Sequence, residues 1–178
     1  MQQRYVKLLQ KLFKNQKAKK EVVVMSIWIN GDYFISTDKS LIEREKVHRF
    51  LSNDSYWAVN IPFKAVNTSI ENSLCFGIYA LKNNELVGFA RVISDFVRFA
   101  YLADVFVLPE YRGLGLSKWL VKTIITYPEF DGVRFCLVTK DAHTLYEQYG
   151  GFKLLEDNKS WMIINSDLEK TIKKFSES

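Results

Sequence analysis

The spacing of hydrophobic and polar positions predicts alternating strands and helices in the first half of the chain. An Asn30-Gly31 dipeptide between two short apolar runs favours a tight hairpin. Ser40 and Glu43 have capping-box spacing, and Pro62 suits the first turn of a helix. These signals predict two strands within 27–35, helices over 40–51 and 62–73, and strands over 74–81 and 85–94.

The second half continues the alternation and contains no internal repeat. It predicts a strand over 101–108, a helix over 116–125, a strand over 133–139, a helix from residue 142, strands reaching 155 and over 161–165, and a C-terminal helix opened by a capping box at 166–169. We therefore expect three parts: an N-terminal extension over 1–25, one α/β domain over 26–165, and a C-terminal helix over 166–178.

Charge is distributed unevenly along the 178 residues, which carry a formal net charge of +5. Residues 1–20 hold seven Lys and Arg and no acidic side chain, leaving 18 basic and 20 acidic side chains elsewhere. The domain itself therefore gives no reason to expect nucleic-acid binding. The basic segment has an apolar stripe at helical spacing, and three interpretations stay open. It is a helix packing on the domain or a partner, an extension upstream of a start at Met25, or a contact for a membrane surface or nucleic acid.

Two further features of the composition bear on location. No apolar run approaches the ~20 residues of a spanning helix, so we expect a soluble protein without a transmembrane segment. Cys75 and Cys136 both lie in apolar runs, so we expect buried, reduced thiols and a cytoplasmic location. No cluster of His, Cys and Asp has metal-ligand spacing, and we expect no metal.

Residues 107–117, Val-Leu-Pro-Glu-Tyr-Arg-Gly-Leu-Gly-Leu-Ser, carry the strongest chemical signal. A strand, a glycine turn and a helix start follow one another there, an arrangement that presents backbone N–H groups to phosphate. A Walker loop is excluded because no glycine pair has its spacing. The dinucleotide fingerprint is excluded because Lys118 stands where its third glycine belongs.

Two blocks resemble the GNAT superfamily of N-acetyltransferases. Arg112, Gly115 and Ser117, with the lead-in of Val107, Pro109 and Tyr111, resemble its acetyl-CoA pyrophosphate loop. Residues 142–152, Ala-His-Thr-Leu-Tyr-Glu-Gln-Tyr-Gly-Gly-Phe, are similar to its A-x-x-L-Y-E-x-x-G-F signature. Two departures are Thr139, where the family usually has Asn, and the doubled glycine at 150–151.

The resemblance implies the GNAT fold, a mixed and mostly antiparallel sheet with helices on both faces. It also implies acetyl-CoA as co-substrate, with its pantetheine arm between strands that splay apart at 104–107 and 138–139. The implied cofactor-binding residues are Val105, Phe106, Val107, Arg112, Gly113, Leu114, Gly115, Leu116, Ser117, Thr139 and His143. The implied acceptor pocket contains Tyr33, Tyr56 and Trp57, each of which could instead be core.

Two residues are candidates for acid–base chemistry. Tyr146 matches the family position that protonates the departing thiolate, and a phenol with a pKa near ~10 keeps its proton at neutral pH. Asp104 lies in an apolar strand, where a carboxylate is costly unless paired or functional. Alternation places it on the face of Leu102 and Phe106, as a general base or as the ion-pair partner of Arg91 or Arg98.

We therefore expect an N-acetyltransferase that moves acetyl directly from acetyl-CoA to a primary amine of a small molecule or peptide in a ternary complex. For its assembly, a monomer and a homodimer both stay open. The alternative from another class is a non-catalytic acyl-CoA-binding sensor. A third possibility is a membrane or nucleic-acid adaptor acting through residues 1–20.

Overall fold

Over the residues that the structure describes, the chain folds into a six-stranded sheet with helices on both faces. The structure is a computed structural model and describes residues 26–156, 161–164 and 168–176. Its strands are β1 (Ile27–Asn30), β2 (Tyr33–Ser36), β3 (Leu74–Ala80), β4 (Leu86–Ser94), β5 (Phe99–Val107) and β6 (Arg134–Cys136). Its helices are α1 (Arg44–Arg49), continued by a π turn at Phe50–Asp54, α2 (Phe63–Glu71), α3 (Leu116–Ile125), α4 (His143–Gly150) and α5 (Leu168–Ser176).

The strands lie side by side in chain order, β1 to β6. Four neighbouring pairs are antiparallel, and β5 and β6 are parallel. The connection from β5 to β6 runs through α3, which supplies the crossover that a parallel pair requires. The predicted fold class, a mostly antiparallel mixed sheet with helices on both faces, is confirmed.

Two hydrophobic cores cover the two faces of the sheet. One core contains Ala90, Leu102 and Val107 from the strands, packed against α3 and Tyr146 of α4. The other contains Phe89 and Phe106, packed against α1, its π turn and α2. The faces of β4 and β5 can therefore be distinguished by which core each side chain enters.

The predicted capping box at Ser40 and Glu43 is wrong. Asp38 caps a short 3-10 turn by accepting from the Ser40 N–H at 2.8 Å, and α1 begins only at Arg44. The Glu43 carboxylate instead accepts from the backbone N–H of Leu86 at 2.6 Å, which fixes α1 to the start of β4. A tertiary hydrogen bond thus takes the place of the local one.

The C-terminal part departs most from the predicted elements. Of the strand predicted over 133–139, only Arg134–Cys136 pairs with a neighbour. The strand predicted over 161–165 is not formed at 161–164, where Met162 and Ile164 stand almost fully in solvent. Apolar composition favours a strand, but a strand also needs a partner for its backbone groups. The extension over 1–25 and the capping residue Ser166 lie outside the described residues.

None of the helices in the described residues combines the length and apolar character that a membrane crossing needs.

Candidate active site

The site is built where β5 and β6 separate. Their parallel pairing covers only Phe99 with Arg134, Ala100 with Phe135, and Tyr101 with Cys136. Beyond Tyr101, β5 runs on to Val107 paired with β4 alone, so the edge that faces β6 is open over 102–107. An open strand edge presents unpaired backbone donors and acceptors. A cleft with polar backbone on one wall results.

A bulge in β5 sets the direction of the side chains at this cleft. Phe106 pairs with Phe89, and Ala103 pairs with Arg91. Between these two pairs β5 therefore contains one residue more than β4. Asp104 takes up the irregularity with a positive φ of 52°. The extra residue shifts the alternation by one.

The bulge therefore corrects the predicted face of Asp104. Leu102 enters the core under α3 and α4, whereas Phe106 enters the opposite core. Asp104 contacts Arg91, which alternation along β4 places on the Phe106 face. The expectation that Leu102, Asp104 and Phe106 share one face is wrong because strict alternation does not survive a bulge.

The Asp104 carboxylate is held by two donors. Its Oδ2 forms an ion pair with Arg91 Nε, and its Oδ1 accepts from the indole Nε1 of Trp57 at 3.2 Å. Arg91 also donates to Ser73 Oγ at 3.4 Å. Of the two partners considered from the sequence, Arg91 and Arg98, the structure shows Arg91. This arrangement stabilises the charged carboxylate.

The glycine turn leads into α3 without a side-chain cap. Gly113 and Gly115 have φ of 81° and 76°, a left-handed conformation that favours glycine, and Gly115 is the N-cap of α3. Within the described ranges, no acceptor is paired with the backbone N–H groups of 113–118. Together with the positive end of the helix dipole, these N–H groups are suited to hydrogen-bond an anion.

The remaining residues predicted around this turn are placed as follows. Arg112 is exposed and donates through Nε to the carbonyl of Val107 at 3.2 Å, which ties the turn to the end of β5. Leu114 is exposed, Leu116 is buried and Ser117 is half-buried. The Phe106 side chain of β5 points into a core, where it stacks on Phe50 at 3.9 Å between ring centroids. Val105 is half-buried and Val107 buried, so β5 offers the cleft its backbone.

Tyr146 lies on α4, next to the separated end of β6. Its side chain is 8% exposed and packs edge-on against Phe152. Burial, with smaller contributions from Tyr56 and Asp141, raises the pKa of Tyr146 to about 12. The phenol therefore remains protonated at neutral pH and can donate a proton.

The turn before α4 is ordered by Thr139, whose hydroxyl accepts from the Ala142 N–H at 3.1 Å. His143, the first residue of α4, is exposed. Both residues line a cavity of about 910 Å³ between β6, α4 and the segments 152–155 and 161–163. Tyr146 lines the same cavity, and none of the glycine-turn residues does.

Two of the three predicted acceptor residues meet at the cleft and the third does not. Tyr56 and Trp57 pack edge to face at 4.9 Å and are 49% and 39% exposed. Tyr33 instead packs edge-on against Tyr111 at 6.3 Å, on the opposite side of the sheet from Asp104.

Sequence reasoning missed the turn residues Lys140 and Asp141. Tyr56 Oη accepts from the Lys140 N–H at 2.9 Å and lies 3.4 Å from Asp141 Oδ1, to which it donates. Their position just before the A-x-x-L-Y-E signature was the available signal. A contact across 84 residues of sequence is not visible from that position alone.

The cysteines differ from each other. Cys75 is buried and Cys136 is half-buried, so the expectation of two buried thiols holds for the first alone. Burial raises the pKa of both thiols, which keeps them protonated and weakly nucleophilic. Over the described ranges, no group of three or more His, Cys, Asp or Glu could hold a metal ion.

The strand, glycine turn and helix beside a split sheet match the arrangement that the GNAT resemblance implies, and comparison with known proteins agrees on the fold. A model of the acetyltransferase (GNAT) family matches residues 44–152, and the chain belongs to that family. A GNAT-family protein of Xanthomonas campestris is 45% identical, with a TM-score of 0.72 over 76% of this chain and 94% of that one.

Two other relatives are more distant. A Gibberella zeae protein named as an acetyltransferase is 33% identical over 54% of this chain, and the match spans 64% of its own length. A GNAT-family acetyltransferase of Elizabethkingia anophelis with acetyl-CoA bound is 14% identical, with a TM-score of 0.50 over 67% of this chain and 76% of that one. The second likeness is one of fold.

Proposed function

We propose that this protein transfers the acetyl group of acetyl-CoA to a primary amine, directly and within a ternary complex. The observation that carries the proposal is the row of N–H groups at 113–118, which have no acceptor in the described part of the chain and stand beside the open edge of β5. The Elizabethkingia anophelis protein of the same fold has acetyl-CoA bound. The family membership of the chain supports the same co-substrate.

The cofactor is held at two places in this proposal. Its pyrophosphate binds the N–H groups of Gly113, Gly115 and their neighbours, and Arg112 adds a guanidinium whose outer nitrogens can bind phosphate oxygens. Its pantetheine arm lies along the backbone of 105–107, with Thr139 and His143 on the opposite wall. This path ends near Tyr146.

The reaction requires one bond to form and one to break. The neutral amine attacks the thioester carbonyl, a backbone N–H near the β5 bulge stabilises the oxyanion, and collapse of the tetrahedral intermediate breaks the C–S bond. The nitrogen gives up its proton to solvent. The departing thiolate takes the Tyr146 proton, which solvent then restores.

The test is acetyl-CoA binding by calorimetry followed by thiol release with a panel of amines: spermidine, lysine, phenethylamine and a short peptide with a free N-terminus. We expect Tyr146→Phe to bind acetyl-CoA normally and to lower kcat at least tenfold, given general-acid contributions of ~10²–10⁴. Tyr149→Phe is the matched control because Tyr149 lies on the same helix, with Lys118 over its ring.

Two outcomes would refute the proposal. Absence of acetyl-CoA binding removes the basis for the co-substrate. Normal binding with no thiol release from any amine would favour the non-catalytic acyl-CoA sensor.

We further propose that the acceptor amine binds at Tyr56 and Trp57. Cytoplasmic location and homodimer formation complete the proposal, supported respectively by the two unpaired cysteines and by the exposed apolar residues at 161–164. Cell fractionation and light scattering test these two points.

A further inference from the structure

The loop between α1 and α2 spans the cleft and is attached to both of its walls. We call residues 55–61 the aromatic strap. Resting on the function proposed above, we propose that Asp104 is a positioning residue: held by Arg91, it fixes the Trp57 indole over the cleft, and Trp57 with Tyr56 forms the wall that receives the acceptor.

The first attachment runs through three side chains to the sheet. Trp57 Nε1 donates to Asp104 Oδ1 at 3.2 Å, and Arg91 holds the other carboxylate oxygen. Arg91 and Asp104 are shielded, with side chains 17% and 12% exposed. A charged pair that is shielded in this way keeps its geometry better than an exposed one.

The second attachment is on the other wall. Tyr56 Oη accepts from the backbone N–H of Lys140 at 2.9 Å, and it donates to Asp141 at 3.4 Å. These residues belong to the turn between β6 and α4, whereas Asp104 belongs to β5. The strap therefore joins the two strands at the place where their own pairing has ended.

The strap is also braced at its ends. Ser55 Oγ donates to the Leu51 carbonyl at 2.6 Å and accepts from the Ala58 N–H at 3.2 Å. The Asn60 N–H donates to the Ser52 carbonyl at 3.0 Å. Because the backbone is fixed at both ends, the orientation of the two rings depends on their attachments to the cleft walls.

This arrangement suits a positioning role better than a general base. Each Asp104 oxygen already accepts from a protein donor, and one of those donors is the Trp57 indole, so both contacts of the carboxylate are structural ones. The bulge that turns Asp104 toward Arg91 thus builds a support for Trp57.

A double-mutant cycle separates the two roles. Trp57→Phe removes the indole donor and leaves the Arg91–Asp104 pair available as a base. We expect Trp57→Phe to raise the KM for the best amine of the panel about tenfold, as the loss of a hydrogen bond to a charged group would, with kcat changed less than about threefold. Trp28→Phe, on β1, is the matched control and should leave this KM unchanged.

The decisive substitution is Asp104→Asn made in the Trp57→Phe background. There the amide oxygen can still accept from Arg91, and the amide NH2 group does not face the Trp57 N–H donor. If Asp104 acts through Trp57, this change alters kcat/KM less than about twofold and leaves the pH profile of kcat unchanged. A further fall in kcat of ~10²-fold or more, with loss of the acidic limb of the profile, would overturn the proposal and identify a base.

A second measurement does not need turnover. The indole N–H resonances of the full chain are recorded by NMR, with Trp57 assigned from Trp57→Phe. Asp104→Ala should speed exchange of the Trp57 indole proton with solvent at least tenfold and leave acetyl-CoA binding by calorimetry unchanged. An unchanged exchange rate would overturn the positioning role, whereas failure of acetyl-CoA binding in the unmodified protein would count against the proposed function alone.

Discussion

The hydroxyl group of Tyr79 offers a sensitive test of the core. The side chain is 0% exposed in β3, and its ring stacks on Phe34 at 5.0 Å between centroids. Within the described part of the chain, no hydrogen-bond partner is present for Oη, which lies against the backbone of Gly77. Burial raises the pKa of this phenol, so it is neutral at physiological pH. We expect Tyr79→Phe to stabilise the protein.

The magnitude follows from two opposing effects. An unsatisfied buried hydroxyl costs about 1–3 kcal/mol of desolvation, and the substitution removes that cost. Removing the oxygen also removes its dispersion contacts with neighbouring atoms, each of which stabilises the native state by roughly 0.1–0.2 kcal/mol. The ring and its stack on Phe34 remain. We therefore expect a net gain of about 1 kcal/mol, or about 2–4 °C in Tm for a domain of this size.

The assay is urea unfolding, with thermal unfolding as a check. Tyr127→Phe is the matched control, because Tyr127 is 5% exposed and its hydroxyl donates to Glu129 at 3.2 Å. The same chemical change should there lower the free energy of unfolding by about 1 kcal/mol. If Tyr79→Phe destabilises the protein as much as Tyr127→Phe does, Tyr79 has a partner such as a buried water and the reasoning fails.

Two other predictions concern the site. Gly115→Ala forces a side chain into φ of 76° and should cost about 1–2 kcal/mol, as should Gly132→Ala at φ of 73°, but only the first should weaken acetyl-CoA binding in calorimetry. If both substitutions weaken acetyl-CoA binding equally, the glycine turn has no specific role in binding the cofactor. Burial raises the pKa of Tyr146 to about 12, above the value of about 10 expected in the unfolded chain. The buried phenol therefore contributes about 2–3 kcal/mol to the free energy of unfolding below about pH 10, and this contribution is lost as the pH rises through about 12. Urea unfolding at about pH 8 and about pH 11.5 should therefore show a smaller alkaline loss in Tyr146→Phe than in the unmodified protein, and equal losses would contradict the burial argument.

Elements whose signals are local were predictable from the sequence. The helix over 116–125 has the predicted bounds because Gly115 begins it and its apolar periodicity is strong. The Asn30-Gly31 hairpin and the strands on either side of it also form where the dipeptide places them. Local chemistry and tertiary structure agree at these positions, and a single sequence then suffices.

The predictions from sequence fail where a contact with a residue far away in the chain determines the local structure. Glu43 has the spacing of a helix cap but bonds Leu86 instead, 43 residues away. Asp104 changes face because β5 contains one residue more than β4 needs, and no single residue type marks the bulge. The link from Tyr56 to Lys140 depends on how two loops meet in space. Spacing along the chain carries no information about any of these contacts.

The packing of one core couples directly to the proposed acceptor wall. Phe106, two residues beyond the bulge, stacks on Phe50 at 3.9 Å, and Phe50 opens the π turn that leads into the aromatic strap. The strap is thus joined to β5 twice, by the Phe50–Phe106 stack at its root and by the Trp57–Asp104 hydrogen bond over the cleft. A displacement of β5 at the bulge would move both attachments together, so the wall follows the strand. Dense packing transmits such displacements, so the core would set the distance between the strap and the thioester of the proposed co-substrate as much as the residues at the cleft do.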